Sequence, residues 1–136
     1  MSVNLDLVRS AYAEWGRGEF SRTDWADPEI EFALVGVPDP GRWHGLSGMA
    51  EAWRGWLAAW DDYRAELDEY RELDDGRVLA LGGAGGRGKT SGVDVRTEFA
   101  GLWEFREGIV VALTLYSNRR RALADLGPGT EGDASS

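Results

Sequence analysis

The sequence lacks cysteine altogether and has a single histidine, His44, among its 136 residues. The absence of cysteine excludes disulfides and thiol chemistry and fits a reducing compartment, so we expect a cytoplasmic protein. One histidine without cysteine offers no metal-ligand cluster, and we expect neither a metal nor a cofactor. No apolar run approaches the ~20 residues of a membrane span, and the N-terminus has no secretory-signal pattern.

Positive charge is also scarce in this chain. The chain has 15 Lys and Arg residues and 24 Asp and Glu residues, which gives a formal net charge of −9. A negative surface repels phosphate backbones and anionic lipids, so nucleic acid and membrane are unfavourable partners. Tryptophan, by contrast, is abundant, with seven residues in so short a chain. A chain of 136 residues is the length of one domain. Because indole rings line cavities and interfaces as well as cores, we expect that domain to have an aromatic interior.

Apolar residues at helical spacing predict two long helices. Asn4 is the expected N-cap of the first helix, and Ser47 that of the second, which begins near Leu46 or Ser47. A short helical segment is predicted between them, over residues 20–25. The apolar faces are Leu5, Val8, Tyr12 and Trp15 in the first long helix, and Met49, Trp53, Trp56, Leu57 and Trp60 in the second.

Alternation with a period of two predicts strands over most of the remaining chain. They are expected at residues 30–35, from 63 to about 73, from 78 to 81, 93–105 and 109–116, with a loop over 36–45, a hairpin turn at Glu107-Gly108 and a short helix over 119–126. In the strand over 93–105, Phe99 and Trp103 should face the helices, while Arg96 and Glu98 face solvent or a partner subunit. Successive hairpins indicate an α+β domain over residues 1–127, with the helices on one face of a mainly antiparallel sheet. Residues 128–136 read as a disordered polar tail.

One motif needs to be weighed against its context. Residues 83–90 match the phosphate-loop pattern G-x-x-x-x-G-K-[ST] letter for letter. That loop binds phosphate at the N-terminus of a helix, where unpaired N–H groups and the helix dipole attract the anion. The residues after Thr90 alternate as a strand does, and the chain has no second parallel βαβ unit. We therefore interpret the segment as a long, flexible glycine-rich hairpin.

Several segments, taken in order, resemble one known family. They are residues 10–12 and 17–20, 27–32, 44–45, 60–64, 86–95, 102–110 and 116–123, within a span of about 5 to 127. Together they resemble the SnoaL-like branch of the nuclear transport factor 2-like superfamily. The resemblance implies a cone-shaped, strongly curved sheet wrapped over N-terminal helices, the cystatin-like roll. It also implies a homodimer with a pocket at the open end of the cone.

The resemblance implies a class of chemistry as well. Members of the superfamily include polyketide cyclases, ketosteroid isomerases, epoxide hydrolases and dehydratases, which use an ionisable group inside an apolar pocket. The isomerase carboxylate positions match Phe32 and Gly101 of this chain, and the last-strand Asp of the epoxide hydrolases matches Leu115. Because none of these side chains can move a proton, the sequence departs from both enzyme patterns where the chemistry would occur.

Three functional hypotheses follow from these residues. The first is a pocket that binds a small hydrophobic or aromatic, polyketide-like molecule. Its expected lining is Trp15, Trp53, Trp56, Trp60, Phe99, Trp103, Leu113 and Leu115. The second is cofactor-free acid–base catalysis by His44 or Tyr12, although His44 could instead cap or pack at the helix junction and Tyr12 could be a core aromatic. The third is a dimeric interaction module whose own tryptophans fill the pocket.

Overall fold

The computed structural model describes residues 3–36, 40–73 and 75–126. The elements along the chain are α1 (Val3–Trp15), β1 (Ala26–Val35), β2 (Gly41–His44), α2 (Gly45–Leu57), β3 (Trp60–Glu72), β4 (Val78–Gly88), β5 (Asp94–Arg106), β6 (Ile109–Tyr116) and α3 (Arg119–Leu126). The predicted α+β class is confirmed. The predicted tail, residues 128–136, and the domain boundary at residue 127 lie outside the described residues.

The six strands form one mixed sheet that does not close on itself. Their order is β2-β1-β6-β5-β4-β3. Strands β3, β4, β5 and β6 pair with their neighbours in antiparallel fashion, as do β1 and β2, whereas β1 pairs with β6 in parallel. The mainly antiparallel sheet predicted from the hairpins is therefore confirmed, with one parallel pairing that links the two halves of the chain.

The helices lie on both faces of the sheet, so the prediction that all of them share one face is wrong. Helices α1 and α2 bury their apolar faces with the larger core cluster, which includes Val8, Met49 and Trp103. Helix α3 covers the opposite face, where Ala122 packs in a second cluster with Leu102 and other apolar side chains of β4, β5 and β6. The alternation of β5 explains this arrangement, because Trp103 and Leu102 point to opposite faces and both are buried.

The first helix has the predicted face, with Leu5, Val8, Tyr12 and Trp15 all buried. Asn4, however, is not its N-cap, because the helix already begins at Val3. The Asn4 side-chain Nδ2 instead donates a hydrogen bond of 3.0 Å to the Gly76 carbonyl oxygen, between β3 and β4. A side chain with a distant partner can do this only when the fold brings that partner close, which a local pattern cannot indicate.

The predicted short helix over residues 20–25 does not form. The Glu14 side chain and carbonyl hold this segment instead, because they accept hydrogen bonds from the Arg22 guanidinium and the Glu19 backbone N–H. The Trp25 indole N–H donates to the Arg22 carbonyl oxygen at 3.1 Å. These bonds tie the segment to the end of α1 in a path that is not helical.

The segment around α2 differs from the prediction in three respects. Residues 41–44, predicted as loop, form β2 and pair with β1. Helix α2 then begins at Gly45, whose φ of +77° allows the chain to turn sharply into the helix, so Ser47 is not the N-cap. Finally, α2 ends at Leu57, and Trp60 begins β3 instead of extending the helical face. Its indole still lies beside Trp56, with ring centroids 6.0 Å apart.

The glycine-rich segment is a strand, which corrects the prediction of a long flexible hairpin. Strand β4 continues to Gly88 and pairs with β3 on one side and β5 on the other. A Cβ atom at Gly82 would lie 2.0 Å from the Glu66 carbonyl oxygen, and one at Gly85 would lie 2.0 Å from that of Val95. Both neighbours approach too closely for any side chain. A turn and β5 follow the segment, so the helix that a phosphate loop requires is absent from this part of the described chain.

The turn between β5 and β6 forms as predicted. Glu107 and Gly108 have φ values of 53° and 79°, the positive pair of a tight hairpin turn.

Among the described residues, no helix is both long and apolar enough to cross a membrane.

Candidate ligand-binding cavity

A cavity of about 320 Å³ lies between the two N-terminal helices and the sheet. Helices α1 and α2 and strands β1, β3, β4, β5 and β6 all contribute side chains to its wall. Nine of its 20 lining residues are aromatic, so ring faces and edges form most of the surface that an occupant would meet. No Lys, Arg or His is found among the described lining residues.

Six of the eight pocket residues predicted from the sequence line this cavity. They are Trp15, Trp53, Trp56, Trp60, Phe99 and Leu115. The other two, Trp103 and Leu113, are fully buried in the core and are not among the described lining residues. They face the same side of the sheet as Phe99 but pair with each other further along β5 and β6. A binding role for any of these residues stays a prediction.

The aromatic side chains of the cavity wall fall into two groups. In the deeper group, the Tyr12 ring stacks on Phe99 with centroids 5.5 Å apart and meets the edge of Trp15 at 4.7 Å. In the outer group, Trp60 and Tyr63 lie 5.7 Å apart, and both contact Trp56. The rings of each group thus pack against one another around the space between them.

Tyr12 is the polar group at the centre of the deeper wall. Its hydroxyl oxygen accepts a hydrogen bond from the Trp103 indole N–H at 3.3 Å. Burial raises the pKa of Tyr12 well above its ordinary value, so the phenol keeps its proton. Gly101 lies directly against the hydroxyl, since a Cβ atom there would be 2.7 Å from the oxygen. The Trp103 N–H takes one lone pair of this oxygen, and the hydroxyl keeps its proton as a hydrogen-bond donor.

Tyr63 is a second hydroxyl of the lining, and burial raises its pKa as well. The neighbouring Trp56 indole lowers the pKa of Tyr63 by a smaller amount. The buried Trp60 indole N–H, by contrast, has no hydrogen-bond partner among the described residues. The polar groups at this wall are therefore neutral phenols and indoles.

His44, the other catalytic candidate, lies on the surface and is not among the described residues that line the cavity. Its Nδ1 is 2.8 Å from Glu31 Oε1 and its Nε2 is 3.0 Å from Glu29 Oε1. Hydrogen bonds to Glu31 first and to Glu29 second raise the pKa of His44 above its ordinary value. The imidazole is thus held by two exposed carboxylates, and the structure does not bring it together with Tyr12. A catalytic role for either residue stays a prediction.

The sequence reasoning missed the small lining residues, among them Ala52, Ala65 and Ala84. A signal for Ala65 was present, since it alternates with Tyr63 on the inward face of β3. Arg96 and Glu98 alternate with Phe99 and bond to residues outside the cavity, as predicted, although Glu98 also contributes to the cavity lining. The Arg96 guanidinium donates to Glu66 at 2.7 Å, and Glu98 accepts the backbone N–H of Arg119 at 3.2 Å.

Comparison with known proteins identifies the fold. No protein-family profile and no curated protein matches the chain. Among solved structures, a nuclear transport factor 2-like protein of unknown function from Burkholderia pseudomallei aligns with a TM-score of 0.75 at 20% identity, over 94% of this chain and 100% of the other. A candidate SnoaL-like polyketide cyclase from Jannaschia aligns with a TM-score of 0.73 at 12% identity, over 88% of each chain.

A third structure was determined with a small molecule. It is TerC, co-crystallised with polyporic acid, which aligns with a TM-score of 0.72 at 19% identity over 92% of this chain and 98% of its own. The chain therefore has the nuclear transport factor 2-like fold, which confirms the resemblance found in the sequence at the level of the fold. Identities of 20% or less do not carry a ligand or a reaction across.

Proposed function

We propose that this protein binds one small, uncharged, largely aromatic molecule with a hydrogen-bond acceptor, inside the cavity beside Tyr12. The observation that carries the proposal is a cavity rich in aromatic side chains whose lining includes Tyr12, a phenol that keeps its proton as a donor. Ligand sites in proteins usually combine such an apolar wall with a few placed polar groups.

The lack of positive charge in the wall argues for an uncharged ligand. An anion that enters an apolar cavity loses its hydration, and this cost is large unless a cation pairs with it. The described lining has no basic side chain, and the protein as a whole carries a net charge of −9. Glu98, the one carboxylate residue of the lining, is bonded to the backbone of α3. An anionic ligand would therefore remain unpaired, and a cationic one would find a single carboxylate that is already shared with α3.

Tyr12 supports the requirement for an acceptor. One lone pair of its hydroxyl oxygen accepts the Trp103 N–H, and its raised pKa keeps the proton in place for donation. A carbonyl or quinone oxygen would take that hydrogen. TerC, a solved structure with a similar fold, was co-crystallised with a small molecule, polyporic acid.

Binding is favoured over acid–base catalysis by the groups that are present. The raised pKa of Tyr12 makes its phenolate scarce near neutral pH, so the residue is a weak general base. Phe32 and Gly101 occupy the positions where the resemblance places isomerase carboxylates, and Phe32 lines the cavity. A carbonyl polarised by Tyr12 would still react slowly without a second ionisable group beside it.

Calorimetric titration with a matched pair of ligands tests the proposal. Acetylnaphthalene should bind, whereas naphthoate, of similar size but negatively charged, should not. Tyr12→Phe should weaken acetylnaphthalene binding by roughly two- to tenfold, the worth of one neutral hydrogen bond. Tyr70→Phe is the matched control, because Tyr70 is an exposed tyrosine of β3. Failure of neutral aromatic ketones to bind, or tighter binding of naphthoate, would refute the proposal.

The homodimer and the cytoplasmic location implied earlier remain part of this proposal. Sedimentation velocity at micromolar concentration, with and without acetylnaphthalene, tests the dimer. A monomer in both conditions would remove it without affecting the cavity.

A further inference from the structure

The space inside the cavity depends on one alanine of β4. Between Gly82 and Gly86 the strand carries a single side chain, that of Ala84. The two glycines that share its face cannot contribute, because a Cβ atom would lie 2.0 Å from the Glu66 carbonyl oxygen at Gly82 and 2.9 Å from the Asp61 carbonyl oxygen at Gly86. Ala84 therefore alone determines how far this part of β4 reaches into the cavity.

Ala84 belongs to a row of small residues that crosses three strands. It pairs directly with Ala65 on β3 and with Thr97 on β5, and all three line the cavity. Directly paired residues point to the same face of a sheet, so the three side chains form a continuous shallow strip. The adjacent row contains Leu67 and Phe99 on either side of Gly82 and is much bulkier.

The volume of the cavity indicates what this strip accommodates. An engineered protein cavity of about 150 Å³ lined by apolar side chains holds one benzene. The present cavity, at about 320 Å³, is roughly twice as large. Two fused or linked rings would fill it, whereas a third ring would exceed this volume and extend beyond the cavity.

We infer that Ala84, together with Ala65, limits the ligand to a two-ring aromatic compound. The inference rests on the proposed function and narrows the ligand class by size. Larger side chains at either position would occupy the volume of the second ring. The protein would then accept one-ring compounds only.

Three neutral ketones that share the same acceptor group form the test series: acetophenone, acetylnaphthalene and acetylanthracene. Calorimetry on the unaltered protein should show acetylnaphthalene as the tightest ligand. In Ala84→Leu the affinity for acetylnaphthalene should fall by roughly tenfold or more, while acetophenone changes by less than about threefold. The melting temperature of the free variant should stay the same or rise, because the leucine fills a void. Ala50→Leu, at an exposed position of α2, is the control for an added leucine.

Distinct results overturn the two proposals. If the unaltered protein binds none of the ketones, the proposed function fails and the size limit fails with it. If it binds acetylnaphthalene but Ala84→Leu binds this ketone equally well, or if acetylanthracene binds as tightly as acetylnaphthalene, only the size limit fails. Should Ala84→Leu not fold, Ala84→Val and Ala65→Val provide the same comparison with a smaller side chain. Unfolding of all three variants would show that the strip has no room, which also overturns the inference.

Discussion

Gly101 is the position where one added methyl group most directly tests the packing beneath the cavity. A Cβ atom there would lie 2.7 Å from the Tyr12 hydroxyl oxygen and 3.2 Å from both Leu115 Cδ2 and Trp103 Nε1. Tyr12 cannot move away freely, because its ring also meets Trp15 at 4.7 Å. We expect Gly101→Ala to lower the free energy of unfolding by about 1 to 3 kcal/mol, the usual cost of overpacking a core.

A double-mutant cycle with Tyr12→Phe isolates the contact responsible. Tyr12→Phe alone leaves the buried Trp103 N–H without its acceptor, which should cost about 1 to 3 kcal/mol. In the double variant, the new methyl group occupies the space that the hydroxyl oxygen has left. The combined loss should therefore be smaller than the sum of the single losses by about 1 to 2 kcal/mol. Tyr12→Phe should restore only part of the stability lost in Gly101→Ala, because the new methyl group would still lie 3.2 Å from Leu115 Cδ2.

Urea denaturation followed by tryptophan fluorescence measures all four corners of the cycle. Gly55→Ala is the matched control: nothing lies within 4 Å of a Cβ atom at this exposed position of α2, so the alanine should stabilise the helix by about 0.5 to 1 kcal/mol. We therefore expect Gly101→Ala to lower the free energy of unfolding and Gly55→Ala to raise it. Strict additivity in the cycle, or a gain in stability from Gly101→Ala, would refute the packing described for Tyr12.

Three further predictions concern other parts of the fold. Asn4→Ser should lower the free energy of unfolding, measured by urea denaturation, by about 1 kcal/mol. Serine caps helices as well as asparagine does, but its side chain cannot reach Gly76. An unchanged denaturation midpoint would indicate that Asn4 acts as a helix cap after all. Gly85→Ala should lower the free energy of unfolding by about 3 kcal/mol or more, since its Cβ atom would lie 2.0 Å from a carbonyl oxygen of β5. A variant as stable as the unaltered protein would contradict this close contact between β4 and β5. For His44, the raised pKa means that its contribution to stability is complete below pH 6.5 and is lost as the pH rises through the folded-state pKa. Glu31→Gln should lower that pKa in an NMR titration of this single histidine, and an unshifted curve would exclude Glu31 as the cause.

Much of the fold could be predicted from local patterns. The alternation of β5 placed Phe99 and Trp103 toward the helices, and the structure agrees. The elements that the pattern missed owe their conformation to distant partners. Strand β2 has only four residues and forms because β1 pairs with it. Residues 20–25 were predicted as a helix, but hydrogen bonds to Glu14 set the path of the chain there. The glycines of β4 suggested a loop, although here they reflect close approach of neighbouring strands.

The candidate site was predictable only in part for a similar reason. Bulky aromatics at inward positions could be recognised from periodicity, and Trp53 and Phe99 do line the cavity. Periodicity does not tell how far a side chain lies from empty space, so Trp103 was grouped with them although it is fully buried. The size of a cavity depends on small residues such as Ala84, which leave no mark in a hydrophobic pattern.

The parallel pairing of β1 with β6 has a consequence for how the chain reaches its native state. Phe32 lies opposite Leu113, about eighty residues later in the sequence. Until that late strand is available, β1 lacks its central neighbour, and only the short β2 can pair with it. Contacts between such distant segments slow folding, because a long loop must close before they form. During synthesis the wall of the cavity would therefore stay incomplete until β6, which supplies Leu115 and Tyr116, has been made.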